Sequence, residues 1–262
     1  MRVESSQPHF SPDVRVWLVG AGPGAVDLIT VRGARLLGAA EVVLYDDLAN
    51  AELLDLCPAG CERIYVGKRL GAHSASQEAI SALLVEKALS GKRVVRLKGG
   101  DPMVFGRAGE ELQALNAAGL AYEIVPGVTA AAAAGAVAGI PLTQRGITST
   151  MVFVTGHDCA DRATPVNWRA LAALRSTLSI YMGTKRFGAI AQELIAGGLP
   201  ETTSVAVVAG ATLSSQSLKF GTLADGDALT IDPERRPALI IVGVVVHWSE
   251  LQGAASELAT AH

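Results

Sequence analysis

The chain has 262 residues, half of them apolar, 18% charged and 5% aromatic, with 22 basic against 25 acidic side chains and a formal net charge of −3. That length allows one large domain or two modest ones, and the composition excludes both disorder and a disulfide scaffold. The near balance of charge leaves no polybasic field for bulk nucleic acid, and the few aromatics leave no base-stacking platform.

The first apolar run, 14–19 (VRVWLV), stops at a glycine cluster and reads as a strand. A helical pattern through Val31, Leu36, Leu37 and Ala40 follows, then a strand at 41–45 ending in Asp46-Asp47. Ser74-Ala75-Ser76-Gln77 offers a capping box before Ile80, Leu83, Leu84 and Ala88, with Gly91 as the stop. A strand at 93–97 leads into Lys98-Gly99-Gly100-Asp101-Pro102, a helix spans 108–118, and another strand covers 122–125. Strands alternating with helices predict a parallel sheet covered on both faces.

The second half begins with an alanine-rich helix near 129–138 and a strand at 151–155. A helix capped by Asn167, a strand at 178–182 and a helix at 189–196 come next. Strands at 204–208 and 217–220 are joined by only eight residues, too few for a helical crossover, so they pair antiparallel. A buried strand at 237–246 closes the fold. The reading is two α/β lobes meeting near Pro126-Gly127. The amino-terminal lobe (16–127) is mostly parallel, the carboxy-terminal lobe (128–248) is mixed, and tails cover 1–15 and 249–262.

Cys57, Cys61 and Cys159 cannot form a paired framework, and no second cysteine pair completes a zinc site. Reduced thiols in a cytoplasmic protein, with no metal, are expected. Residues 1–13 have no apolar core of the secretory type. The uncharged stretch 124–144, bracketed by Pro126 and Pro141, is mostly alanine and glycine and reads as a buried helix rather than a membrane span. A soluble protein follows.

Ligands of open parallel sheets bind beyond the carboxyl ends of the strands. In the first lobe those ends carry Gly20-Ala21-Gly22-Pro23-Gly24, Tyr45-Asp46-Asp47, Val66-Gly67-Lys68-Arg69 and Gly99-Gly100-Asp101-Pro102. Gly20, Gly22 and Ala25 formally satisfy a dinucleotide fingerprint, with Asp46 where a ribose-binding acid belongs. That fingerprint needs a helix opening inside the motif. Here Pro23, Gly24 and the cap candidates Asp27 and Thr30 delay the helix by about a turn, and a Walker lysine is missing.

The opening VGAGPGAVDLITVRGARLLGAAEVVLYDDL resembles that of the tetrapyrrole C-methyltransferases, which use S-adenosyl-L-methionine. VGKR (66–69), LKGGDPMVFGRAGEE (97–111), VPGVTAAAAAGAVAGIPLTQR (125–145) and YMG (181–183) are similar to the uroporphyrinogen-III branch of that family. The resemblance runs from about Val16 to Val246. It implies two α/β lobes with the cofactor in a cleft between them, a homodimer, and two successive methylations of uroporphyrinogen III giving precorrin-2 and S-adenosyl-L-homocysteine. That product feeds siroheme or cobalamin biosynthesis.

Carried over position by position, the resemblance implies that Pro23 lines the cofactor site. Gly99, Gly100 and Asp101 then hold the methionine and ribose parts, with Val104 just beyond. Thr129, Ala130 and Met182 close around the cofactor. Where the family often has a Glu-Asn-Gly-Thr-like loop, this chain has Ala209-Gly210-Ala211-Thr212, and Ala211 takes the backbone contact. Asp46 matches the proton acceptor, and Lys68 the proton donor or substrate anchor. Multifunctional siroheme-making proteins join such an enzyme to an oxidoreductase and chelatase module. With about 15 residues before Val16, no such module is expected here.

These roles are chemically sensible. A sulfonium already carries the methyl group, so transfer needs in-line positioning more than acid catalysis. After attack by a pyrrole carbon a proton must leave the macrocycle, and a carboxylate is a suitable base. The substrate bears eight carboxylates, so Arg69, Arg107 and Arg145 are candidates to bind it, with Lys68 beside them.

The plainer readings are that Arg96 and Lys98 solvate a strand edge, that Glu110-Glu111 only compensates a helix dipole, and that His73 and His157 are surface residues. Two further readings stay open. One keeps the fold and cofactor but acts on a later precorrin, ribosomal RNA or a diphthamide precursor. The other is a dinucleotide-dependent oxidoreductase or a nucleotide sensor.

Overall fold

A computed structural model describes residues 13–67, 76–157, 165–230 and 237–247. The chain divides into two compact units between Thr129 and Ala130, two residues beyond the boundary expected from sequence.

In the first unit, β1 (Val16–Gly20), β2 (Val42–Tyr45), β3 (Glu62–Tyr65), β4 (Val94–Lys98) and β5 (Tyr122–Val125) form one sheet in the order β3-β2-β4-β1-β5. Every pairing is parallel, with Val19 opposite Leu97 and Val125, and Leu44 opposite Arg96. All five carboxyl ends therefore reach one rim.

Alternation along the strands splits the core in two, since successive side chains point to opposite faces. Trp17, Val19, Val43, Val95 and Leu97 pack with Leu36 and Leu37 of α1 (Val31–Leu37) and with Leu53 of a 3-10 segment, Ala51–Leu56. Val16, Leu18, Leu44 and Val94 pack on the other side with Ile80 and Leu84 of α2 (Gln77–Leu89) and Leu115 of α3 (Ala108–Ala117). Cys57 and Cys61 belong to the first of these cores and are free thiols. Burial and the neighbouring Cys61 push the Cys57 thiol up to about 11.

Local chemistry sets the helix ends. Thr30 caps α1, its hydroxyl accepting from the Gly33 amide at 3.1 Å. Ser76 caps α2 by accepting from Ala79, while Ser74 and Ala75 of the expected capping box lie outside the described residues. The 51–56 segment is not among the elements read from sequence, and of β3 only the carboxyl end, at Val66, is read there; β3 (ERIY) has no buried residue and hence no strong apolar signal.

In the second unit, β6 (Met151–Thr155), β7 (Thr177–Tyr181), β8 (Ser204–Ala209), β9 (Ser217–Thr222) and β10 (Ala238–Val242) are ordered β6-β7-β10-β8-β9. Only β6–β7 is parallel; β8 and β9 pair antiparallel, as the short connection requires. One face packs Leu178, Ile180, Val205, Val207, Ile240 and Val242 against Phe187, Ile190 and Leu194 of α6 (Phe187–Ala196) and Ala172 of α5 (Trp168–Ala173). Asn167 caps α5.

The alanine-rich helix is α4 (Ala130–Val137). The closing strand is shorter than its apolar run suggests: the chain leaves the sheet at Gly243 (φ +147°), and 244–247 are helical. Among the described residues no helix is long and apolar enough to cross a membrane.

Candidate active site

The loops at the carboxyl rim of the first sheet are tied together by their backbones. Gly22 and Gly100 exchange two hydrogen bonds, 3.2 Å and 2.7 Å, and the Ala21 amide donates to the Lys98 carbonyl at 2.8 Å. A methyl group at Gly20 would lie 2.6 Å from the Gly127 Cα and 2.7 Å from the Gly100 carbonyl oxygen, so these three positions meet backbone to backbone. Asp101 completes the tie: one oxygen accepts from the Gly127 amide at 2.9 Å, the other from the Met103 amide at 2.8 Å.

Gly22 (φ +77°) and Gly24 (φ +157°) take conformations that a side chain resists. Beyond them comes a 3-10 turn, Val26–Leu28, and α1 begins only at Val31. The delay expected from Thr30 is therefore present, and the glycine loop does not deliver a helix terminus to a pyrophosphate.

Asp46 follows β2 and is half-buried. Its Oδ1 accepts from the Leu48 amide at 3.1 Å and its Oδ2 from Arg96 Nη2 at 2.8 Å. Behind it stands a buried charge cluster that corrects the plainer sequence reading. Arg96 and Lys98 do not solvate an edge: β4 is a central strand, and both side chains point inward on its α2–α3 face. Glu111, at 0% exposure, is the counter-charge. It accepts from Arg96 Nε at 3.0 Å, from Lys98 Nζ at 3.0 Å on both oxygens, and from Gln77 at 3.2 Å.

Arg96 Nη1 also donates to the Leu97 carbonyl at 2.9 Å and the Leu44 carbonyl at 3.4 Å. Burial and the Arg96 charge lower the Lys98 ammonium from its ordinary range, against the opposing pull of Glu111. Of the Glu110-Glu111 pair, only Glu110 is at the surface, where it takes a bidentate contact from Arg107 at 2.8 Å and 2.9 Å. The signal for this cluster was in the sequence: two cations at alternate positions of an otherwise apolar central strand (VVRLK), with an acid in the following helix.

The other expected positions fall as follows. Pro23, Gly99, Gly100, Asp101, Val104 and Thr129 are half-buried in the first unit. Asn50 Nδ2 donates to the Gly24 carbonyl at 2.8 Å, fastening the Pro23 loop to the segment after Asp46. Lys68, Arg69 and His73 lie outside the described residues. In the second unit, Ala130 opens α4, and Tyr181 Oη accepts from the next amide, Ala131, at 3.1 Å.

Met182 follows β7 with a left-handed backbone (φ +54°) and an exposed side chain. Ala211 follows β8 in a tight loop with Gly210 at φ +58° and Thr212 at φ +71°. Since β7 and β8 are both antiparallel to β10, they run in one direction, and Met182 and Ala211 sit at the same edge of their sheet. Arg145 and His157 are exposed. Among the described residues no His, Cys, Asp and Glu group has the makings of a metal site.

The uroporphyrin-III C-methyltransferase of Thermus thermophilus, in its crystal structure with S-adenosylhomocysteine, is 39% identical, with a TM-score of 0.76 over 89% of this chain and 99% of that one. Cobalt precorrin-4 methyltransferase is 33% identical, with a TM-score of 0.77 over 88% and 95%. Siroheme synthase 1 of Yersinia pseudotuberculosis is 53% identical over 232 residues, 88% of this chain and 49% of its own length. That of Baumannia cicadellinicola is 50% identical over 248 residues, 94% and 54%. The chain thus spans about half the length of these curated relatives. Residues 15–226 match the model of the Tetrapyrrole (Corrin/Porphyrin) Methylases, and the chain belongs to that family.

Proposed function

We propose that the protein transfers methyl groups from S-adenosyl-L-methionine to two pyrrole carbons of uroporphyrinogen III, giving precorrin-2. The observation that carries this reading is the glycine-tied rim of the first sheet with the Asp46 carboxylate held beside it. The residues present suit the cofactor. Pro23, Gly99, Gly100, Asp101 and Val104 offer half-buried peptide groups, apolar surface and a carboxylate but no cation, which fits a sulfonium carrying amino-acid and nucleoside ends. Ala130, Met182 and Ala211 are the further contacts proposed from the second unit. When bound, the cofactor supplies an activated methyl group.

The chain's own part is to orient and to move a proton. The rim loops fix the donor direction, since their backbones are bonded to one another and cannot drift independently. The attacked carbon already bears a carboxylate side chain and no hydrogen, so after the new carbon–carbon bond forms a C–H bond of a neighbouring bridging methylene breaks, its electron pair neutralises the iminium left in the ring, and the proton passes to Asp46. Arg107, Arg145 and Arg69 are assigned to substrate carboxylates, with Arg107 exchanging its surface partner Glu110 for a substrate group. Lys68 serves as proton donor or anchor. A homodimer in the cytoplasm, with no nucleic acid or membrane partner, is the proposed setting.

Incubation with methyl-labelled cofactor and reduced uroporphyrinogen III tests the reading: label is expected in a dimethylated tetrapyrrole. No transfer overturns it. A later precorrin is the second reading, favoured by the likeness to cobalt precorrin-4 methyltransferase, and label appearing only with that substrate selects it.

A further inference from the structure

A carboxylate at the end of a strand normally turns freely about two side-chain bonds. Asp46 does not, because its two oxygens are held from different directions, by the Leu48 amide and by Arg96 Nη2. Arg96 is in turn unable to rotate. Its planar fork is occupied at Nε by Glu111, at Nη1 by the Leu44 and Leu97 carbonyls, and at Nη2 by Asp46, so groups on β2, β4 and α3 together set where Nη2 lies. The series runs from dry to wet: side-chain exposure is 0% at Glu111, 3% at Arg96 and 23% at Asp46. Each Asp46 oxygen has a second lone pair that these contacts leave available.

A buried Arg–Glu pair adds little stability over apolar residues of the same size. Stability alone thus gives no reason for β4 to carry an arginine where its other inward positions could be apolar. A task at the open end of the series does. We propose that Arg96, braced by Glu111, is a positioning residue that aims the Asp46 carboxylate at the proton it accepts. This inference rests on the proton-accepting reading of Asp46 given above.

The test is a double-mutant cycle on the full chain with S-adenosyl-L-methionine and reduced uroporphyrinogen III, using Arg96→Lys, Asp46→Asn and the pair together. Lysine keeps the charge but lacks the planar fork that reaches all four partners at once. Arg96→Lys is expected to lower kcat about 10–100-fold, the scale of a misplaced catalytic group. The KM for the tetrapyrrole and the Kd for S-adenosylhomocysteine should stay within about twofold. Adding Arg96→Lys to Asp46→Asn should then slow the enzyme no further, because the group it aims is already gone.

Losses that multiply, or a KM and Kd that rise with the fall in kcat, overturn the inference. So does wild-type kcat in Arg96→Lys while Asp46→Asn is slow. Wild-type turnover in Asp46→Asn instead removes the proton-accepting reading itself, and the inference with it. If Arg96→Lys does not fold, the same cycle with Glu111→Gln, which keeps the side chain's shape, gives the same decision: a kcat loss that vanishes in the Asp46→Asn background supports the inference, and one that persists overturns it.

Discussion

In the first unit, β4 carries Arg96 and Lys98 into the interior, and both meet Glu111. In the second unit, β7 carries Thr177 and Ser179 inward, and their hydroxyls meet no partner among the described residues. An unpaired hydroxyl costs a folded protein about 1–3 kcal/mol, whereas an unpaired buried charge costs several times more. Interior hydroxyls can therefore be left alone, but interior ions come as a complete set. The sheets differ in direction as well. Parallel strands send all five ends of the first sheet to one rim, where the ion set can serve a loop; the mixed sheet divides its ends between two edges.

The contrast breaks most visibly at Glu111. Glu111→Ala leaves the buried Lys98 without its bonded carboxylate and beside Arg96, which keeps only Asp46 as counter-charge, and urea unfolding should show a loss of about 3–5 kcal/mol. Gly127→Ala comes next. Its Cβ would strike the Gly100 carbonyl and the Gly20 Cα, both backbone, so a loss of about 1–3 kcal/mol is expected. The thermal shift induced by S-adenosylhomocysteine should shrink with it. In the second unit the sign reverses: Thr177→Val removes a hydroxyl with no partner and should stabilise by about 1 kcal/mol in the same unfolding experiment.

A subtler separation comes from pH. The Lys98 ammonium is lowered in the folded state, so as pH rises from that lowered value toward 10.5 the folded chain releases a proton that the unfolded chain still holds. Stability contributed at Lys98 rises across that window. Lys98→Met has no such proton, and its stability relative to wild type should fall with pH there. At the far end of the scale, Arg169→Ala breaks a pair with Glu193 that lies in solvent, and the unfolding midpoint should not move measurably.

Much of this architecture was legible in the chain. Strand ends at Val125 and Thr155, the caps Thr30 and Asn167, and the antiparallel β8–β9 pair all follow from periodicity, capping chemistry and loop length. The glycine loops and Asp46 were visible as motifs. The ion set was not assembled because its members lie 15 and 13 residues apart along the chain and 50 from Asp46, and only the sheet register brings them together. Edge strand β3 was read only by its end at Val66, for the opposite reason: without a buried face its body lacks the pattern by which strands are read. The final apolar run misled at its end, since Gly243 turns the chain out of the sheet while the valines continue.

The paired thiols of the first core give the molecule a native reporter. With Cys57 buried and its thiol pushed up to about 11, almost none is thiolate at neutral pH, and none reaches an alkylating reagent while the core stays closed. Alkylation of the peptide that carries Cys57 and Cys61 is therefore gated by local opening of the region between β2 and β3. Followed by mass spectrometry, its rate reads the opening equilibrium directly. Ligands that bind the rim of the same sheet should slow that chemistry without any label being introduced.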